Sequence, residues 1–88
     1  MDHPVGIERY NGTMEELAND IGNLRYDKLA TFLSFLQVKM HEDGRLDFQA
    51  GRSKLAMNLS NCSRALQESA FAALDAWIIC EKHMEEKK

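Results

Sequence analysis

The chain has 88 residues and a formal net charge of −3; 44% of its residues are hydrophobic and 28% are charged. This length suits one small domain, and this composition is typical of a globular protein and not of a disordered chain. The acidic balance argues against a general nucleic-acid or membrane-surface binder, and no apolar run is long enough for a membrane-spanning helix.

The first twelve residues are predicted to form an irregular N-terminal arm, residues 1–12. This segment contains Pro4, Gly6 and the Asn11-Gly12 pair and shows no apolar periodicity. It also lacks the basic and apolar regions of a signal peptide, so we expect a cytoplasmic protein whose two cysteines are reduced thiols. Residues 13–88 are then expected to form a single helical domain.

A short helix is predicted at about residues 14–24. Thr13 followed by Glu16 matches a capping box, in which each side chain satisfies a free backbone N–H of the other residue. Gly22 and Asn23 are expected to end or loosen this helix. Its apolar face consists of Leu17, Ile21 and Leu24.

A second, medium helix is predicted at about residues 27–43, with Asp27 as a candidate N-terminal cap. Phe35 and Val38 fall on a different side from the main apolar stripe, so this helix has more than one apolar face. The main stripe consists of Leu29, Leu33, Leu36 and Met40.

The stretch "HEDGRLDFQA" at 41–50 resembles the second half of an EF-hand calcium loop. In that alignment Lys39 occupies the first ligand position and Ala50 the twelfth, where the site requires a carboxylate and a bidentate Glu. A calcium site is therefore not expected. Gly44 is instead predicted to end the second helix and Asp47 to cap the third, so that the two helices form an antiparallel hairpin.

A long third helix is predicted at about residues 48–84, from apolar residues spaced three or four apart. The weakly helical "SNCS" at 60–63 is a place where this helix could break. Phe71, Leu74 and Ile78 widen its apolar arc to about half the circumference. The main stripe consists of Leu55, Leu59, Cys62, Leu66, Ala70, Ala73, Trp77 and Met84.

The predicted fold is therefore all-α, a small helical bundle built on an antiparallel helical hairpin. The two long helices carry more apolar surface than one hairpin can bury, and a two-fold dimer with a four-helix-like core would cover it. The alternative is a monomeric three-helix bundle, in which the first helix or the arm covers the same residues.

The function predicted from this surplus is that of a small, non-enzymatic cytoplasmic interaction protein, an adaptor, subunit or regulator acting through apolar helix faces. Large apolar side chains left on a surface usually mark a contact site. No catalytic grouping, cofactor motif or metal-ligand set is recognised, since Cys80 and His83 lack the further ligands that zinc needs. The candidate partner-binding residues are Phe35, Val38, Phe71, Leu74, Trp77 and Ile78.

The alternative function is a nucleic-acid-binding regulator that uses the basic segment 45–64. This segment carries four basic residues against one acid, although the helical period does not place them on one face. The residues concerned are Arg45, Arg52, Lys54 and Arg64.

Overall fold

The computed structural model describes residues 3–86, with side chains up to residue 83, and contains three α-helices. Helix α1 spans Met14–Gly22, α2 spans Tyr26–Gln49 and α3 spans Ser53–Glu86; no strand occurs between residues 3 and 86. Helices α2 and α3 pack against each other along their length and form the predicted hairpin. Met84 of the predicted stripe lies outside the residues whose side chains are described.

Helix α1 begins at the capping box that the sequence predicts. The backbone N–H of Glu16 donates to Thr13 Oγ1 at 3.1 Å, and the N–H of Thr13 donates to Glu16 Oε1 at 2.9 Å. Hydrogen bonds from Thr13, first from its backbone N–H and then from its side chain, hold the pKa of Glu16 below its usual range. The helix ends at Gly22 with Asn23 as its C-cap, and none of its residues is buried.

The chain bends between α1 and α2 because Arg25, the N-cap of α2, adopts an extended backbone with ψ 140°. Asp27 is not the N-cap of α2, contrary to the prediction, because it is the second residue inside the helix; its carboxylate accepts from the backbone N–H of Lys28 there at 2.9 Å. It accepts from Arg25 Nε at 2.6 Å and Nη2 at 2.8 Å, and these bonds lower the pKa of Asp27. Arg25 therefore ties the bend to the first turn of α2.

The turn between α2 and α3 lies at residues 50–52, and its predicted place within 41–50 is wrong. Helix α2 continues through Gly44 to Gln49, and Gly51 takes the positive φ of 83° that ends it. The N–H of Arg52 donates to the Asp47 carbonyl at 2.9 Å, and the N–H of Gly51 donates to the Phe48 carbonyl at 3.1 Å. These two bonds form a Schellman motif, which requires the left-handed backbone conformation at Gly51.

Asp47 lies in the last turn of α2 and does not cap α3, contrary to the prediction. Its side chain is buried, and both Nε and Nη2 of Arg52 lie 2.8 Å from Asp47 Oδ1. This ion pair joins the end of α2 to the residue that precedes α3. Burial of a carboxylate is tolerated here because a charged partner satisfies it.

Helix α3 is continuous from Ser53 to Glu86, so the break that seemed possible at 60–63 does not occur. Ser63 is buried at the contact with α2, where its hydroxyl donates to the Gln37 carbonyl at 3.1 Å and accepts from Gln37 Nε2 at 2.9 Å. Serine has a weak helical preference, but here its polar group is satisfied across the helix pair.

The residues at the contact between the two helices repeat every seven positions, and all of them except Gln37 are small. The Gln37–Ser63 hydrogen bonds, and the approach of Gly44 to Ala56, fix one register for both helices. The seven-residue spacing is that of a coiled coil, and small side chains let the two helices approach closely. We name this contact the small-residue seam; it consists of Ala30, Gln37 and Gly44 on α2 and Ala56, Ser63 and Ala70 on α3.

Gly44 is the residue of α2 that allows the closest approach to α3. A Cβ atom at this position would lie 3.4 Å from both the Ala56 carbonyl oxygen and Leu59 Cβ. We expect Gly44→Ala to change the free energy of unfolding by less than about 1 kcal/mol, because better helix propensity offsets the tight contact. Gly44→Val is expected to lower it by about 2 kcal/mol, because its extra methyl groups overpack the helix contact.

Urea denaturation followed by circular dichroism, at one fixed protein concentration, measures both Gly44 variants. Equal stability of Gly44→Val and wild type would show that α2 and α3 are not in close contact at this position.

Gly51 is the one residue between positions 3 and 86 with a positive φ. Gly51→Ala is expected to lower the free energy of unfolding by about 1 kcal/mol, because a Cβ strains the left-handed conformation. Gly22→Ala is the matched control, since Gly22 is helical and no atom lies within 4 Å of the added Cβ. The same urea measurement should show no loss of stability for Gly22→Ala; an equal loss in both variants would contradict this turn.

Candidate interaction surface

Large aliphatic side chains flank the small-residue seam on one broad side of the hairpin. Each lies three residues after or one residue before a seam position, and the helical period places these positions on the same side of both helices. All six are half-buried, which means that the hairpin covers only their inner edges. We name this surface the aliphatic face; it consists of Leu29, Leu33, Leu36, Met40, Leu59 and Leu66.

The hairpin has almost no interior of its own. Its buried hydrophobic residues are Ala30, Ala56 and Ala70, and no large side chain in the described chain is fully buried. The Cα atoms extend 56 × 28 × 14 Å, so the molecule is about one helix layer thick. The apolar surface that usually forms the core of a domain therefore lies on the outside of this hairpin.

The six predicted partner-binding residues do not form one surface. Phe71, Leu74 and Ile78, spaced three and four residues apart, form a ridge on α3 on the broad side opposite the aliphatic face. Val38 of α2 lies on that side too. It is next to residue 62 of α3, which is about 13 Å from Phe71 along the axis of α3. Phe35 points outward from the free edge of α2 and is 73% exposed.

Trp77 differs from the other predicted residues because it is half-buried at the bend between α1 and α2. The Arg25 guanidinium lies 5.0 Å from the centre of its ring, within range of a cation–π interaction. An open cavity of about 310 Å³ adjoins this contact, lined by Gly22, Asn23, Leu24, Arg25, Tyr26, Trp77 and Cys80. The contact between Arg25 and Trp77 thus joins the bend to α3.

The basic residues of the nucleic-acid alternative are largely engaged with neighbouring side chains. Arg45 Nη2 lies 2.6 Å from Glu42 Oε1, and this pair lowers the pKa of Glu42. Arg52 is bound to Asp47, as described above, and Arg64 donates to Asn61 Oδ1 at 3.0 Å. Lys54 is exposed at the start of α3. Two of the four charges are therefore compensated by carboxylates, which reduces the positive potential that phosphate binding requires.

The remaining chemical groups do not assemble into a site in the described chain. No three His, Cys, Asp or Glu side chains between residues 3 and 83 are placed to hold a metal ion. Cys62 is exposed and Cys80 half-buried, and both are free thiols. Within the described helices, none is long and apolar enough to cross a membrane.

Comparison with known proteins returned no match to any protein-family model, curated protein or solved structure.

The helical period identifies the leucines and Met40 of the aliphatic face as parts of apolar stripes, but it does not predict that they flank the helix contact. The sequence feature that predicts where the aliphatic face lies is the seven-residue repeat of the small-residue seam beside it. Ala30 and Gly44 on α2, and Ala56 and Ala70 on α3, lie fourteen residues apart, which is two steps of a seven-residue repeat, and they indicate that the helices meet along small residues. The larger side chains must then flank the contact.

The EF-hand-like residues are expected not to bind calcium. Residues 41–49 are consecutive positions of α2, so their side chains point around the helix and cannot converge on one ion. We expect millimolar calcium to leave both the melting temperature and the circular dichroism spectrum unchanged. A calcium-dependent rise in melting temperature that a chelator reverses would contradict this expectation; magnesium serves as the ionic-strength control.

Proposed function

We propose that this chain is a non-enzymatic, cytoplasmic protein–protein interaction module that acts through its apolar helix faces, as an adaptor, subunit or regulator, and that it forms a homodimer. The observation that supports the proposal is the inverted placement of its apolar residues. Alanines are buried, while the large aliphatic side chains of the aliphatic face remain half-exposed.

Half-exposed aliphatic side chains favour association because helices are stable in a domain when their apolar side is covered by a second layer. Burying a leucine fully is worth about 1.5–3 kcal/mol, and the hairpin alone realises only part of that for each of its leucines. A partner that supplies the second layer would therefore stabilise the hairpin at the same time as it binds. Folding and association of such a chain are expected to depend on each other.

The aromatic and aliphatic side chains elsewhere on the hairpin support the same function. Phe71 is 60% exposed and Ile78 47% exposed on the ridge of α3, on the side opposite the aliphatic face. The module can thus present one apolar surface to each of two partners.

The compensated arginines of the segment 45–64 make the nucleic-acid alternative the weaker of the two functions.

The test is whether the apolar faces mediate specific association. Wild type, Leu36→Glu and Phe71→Glu are compared by sedimentation velocity and by affinity capture from the native host, followed by reconstitution with each purified captured protein. At least one variant should weaken one complex about ten-fold or more, because a charge is brought into an apolar contact.

Glu68→Gln is the matched control, since Glu68 is exposed on α3 and should leave every complex unchanged. Circular dichroism verifies that each variant remains helical. A wild-type chain that stays monomeric, reconstitutes with no protein and matches both variants in every measurement would refute the proposed function.

A further inference from the structure

We infer that the occupant of the aliphatic face is a second copy of this chain, and that the two hairpins pack face to face as a two-fold four-helix bundle. This inference rests on the proposed function and assigns its dimer to one surface. The ridge formed by Phe71, Leu74 and Ile78 would remain outside that interface.

The broad side of the hairpin is large enough for a stable dimer interface. The overlap of α2 with α3 is as long as α2, whose 24 residues correspond to about 36 Å. Two packed helices are roughly 20 Å wide, given interaxial distances of about 8–10 Å. The whole broad side that carries the aliphatic face is thus on the order of 700 Å² per copy, close to the roughly 800 Å² per partner of a standard stable interface. The aliphatic residues of α2, from Leu29 to Met40, occupy about 17 Å of its length.

No other segment between residues 3 and 86 covers this face, whose six side chains remain half-exposed, and Val5 and Ile7 of the N-terminal arm are themselves exposed. Helix α1 has nine residues and is about 13 Å long, roughly a third of the length over which α2 and α3 overlap. The chain also bends at Arg25, and α1 makes little contact with the hairpin. The monomeric three-helix bundle considered from the sequence would leave most of the aliphatic face open.

The charges around the aliphatic face permit contact between two copies of the chain. The aliphatic face carries no charge on its six side chains, and the charged pair at its margin, Lys39 and Asp43, is closed within one helix at 2.8 Å. Asp47 is likewise paired with Arg52 on the same chain. Two identical faces can therefore meet without placing uncompensated like charges against each other, which is the condition for a two-fold interface.

The packing geometry agrees with a four-helix bundle. The small-residue seam already joins α2 and α3 by a seven-residue repeat, and the aliphatic residues follow the same repeat beside it. Side chains in that position can interdigitate with those of a second hairpin. Closing the bundle would bury the large side chains that the isolated hairpin leaves half-exposed.

The experiment uses two adjacent residues of α2 that point in different directions. Leu36 belongs to the aliphatic face, whereas Phe35 is the more exposed residue and points away from it. Wild type, Leu36→Asp and Phe35→Asp are studied as full chains by sedimentation equilibrium. Wild type should have twice the monomer mass of 10.1 kDa. Leu36→Asp should raise the dimer Kd by about 100-fold or more, and Phe35→Asp by less than about three-fold.

A second measurement on wild type keeps the inference testable if Leu36→Asp does not fold. Cys62 is exposed and lies one residue before Ser63 of the seam, beside the aliphatic face. Its rate of labelling by a maleimide should fall at least about five-fold as protein concentration passes through the dimer Kd, because only dissociated chains expose it. A Cys80→Ala background leaves Cys62 as the single reactive thiol.

The outcomes separate this inference from the proposed function. If wild type is monomeric at all concentrations, a second copy is not the occupant of the aliphatic face. Binding of another protein through either face would still support the proposed interaction function. A dimer that Phe35→Asp or Phe71→Asp dissociates, while Leu36→Asp does not, overturns the assignment to the aliphatic face. Constant labelling of Cys62 across the dimer transition overturns it as well.

Discussion

The close approach of α2 and α3 along the small-residue seam is the constraint on which the rest of this structure depends. A glycine and three alanines at the contact bring the two helices together with little side-chain volume between them. Gly44 illustrates the consequence, since even a Cβ atom there would reach the Ala56 carbonyl oxygen at 3.4 Å. Because the space between the helices is so narrow, leucines cannot occupy it and must lie beside it.

Two polar contacts set the register of the seam. Gln37 and Ser63 satisfy each other in the middle of the hairpin, and Arg52 satisfies the buried carboxylate of Asp47 near the turn. Alanine and glycine surfaces are nearly featureless, so a shift by one helical turn would cost little packing energy. Such a shift would leave buried polar groups without partners, and this penalty of about 1–3 kcal/mol each selects one register.

The position of the leucines links the fold to the proposed function. A hairpin with a wide apolar interior could be stable alone, but this one places six large aliphatic side chains on one broad side and exposes the ridge of Phe71, Leu74 and Ile78 on the other. The small-residue seam and the aliphatic face are thus two consequences of one packing arrangement. The two-fold bundle would convert the half-exposed leucines into a core, and the ridge on α3 would remain available to a further protein.

The sequence by itself determined the all-α class, the capping box of α1 and the antiparallel pairing of two long helices, because these follow from local chemistry and apolar periodicity. It did not determine the site of the turn. Gly44 and Gly51 are both chemically suited to end a helix, and only the packing against α3, which requires a small residue at position 44, keeps that part of α2 helical. Tertiary contacts likewise keep α3 continuous at Ser63, whose local preference favoured a break. The tertiary structure also determines the candidate surface. Periodicity identifies the apolar stripes, but the width of the contact between the helices determines which residues are buried.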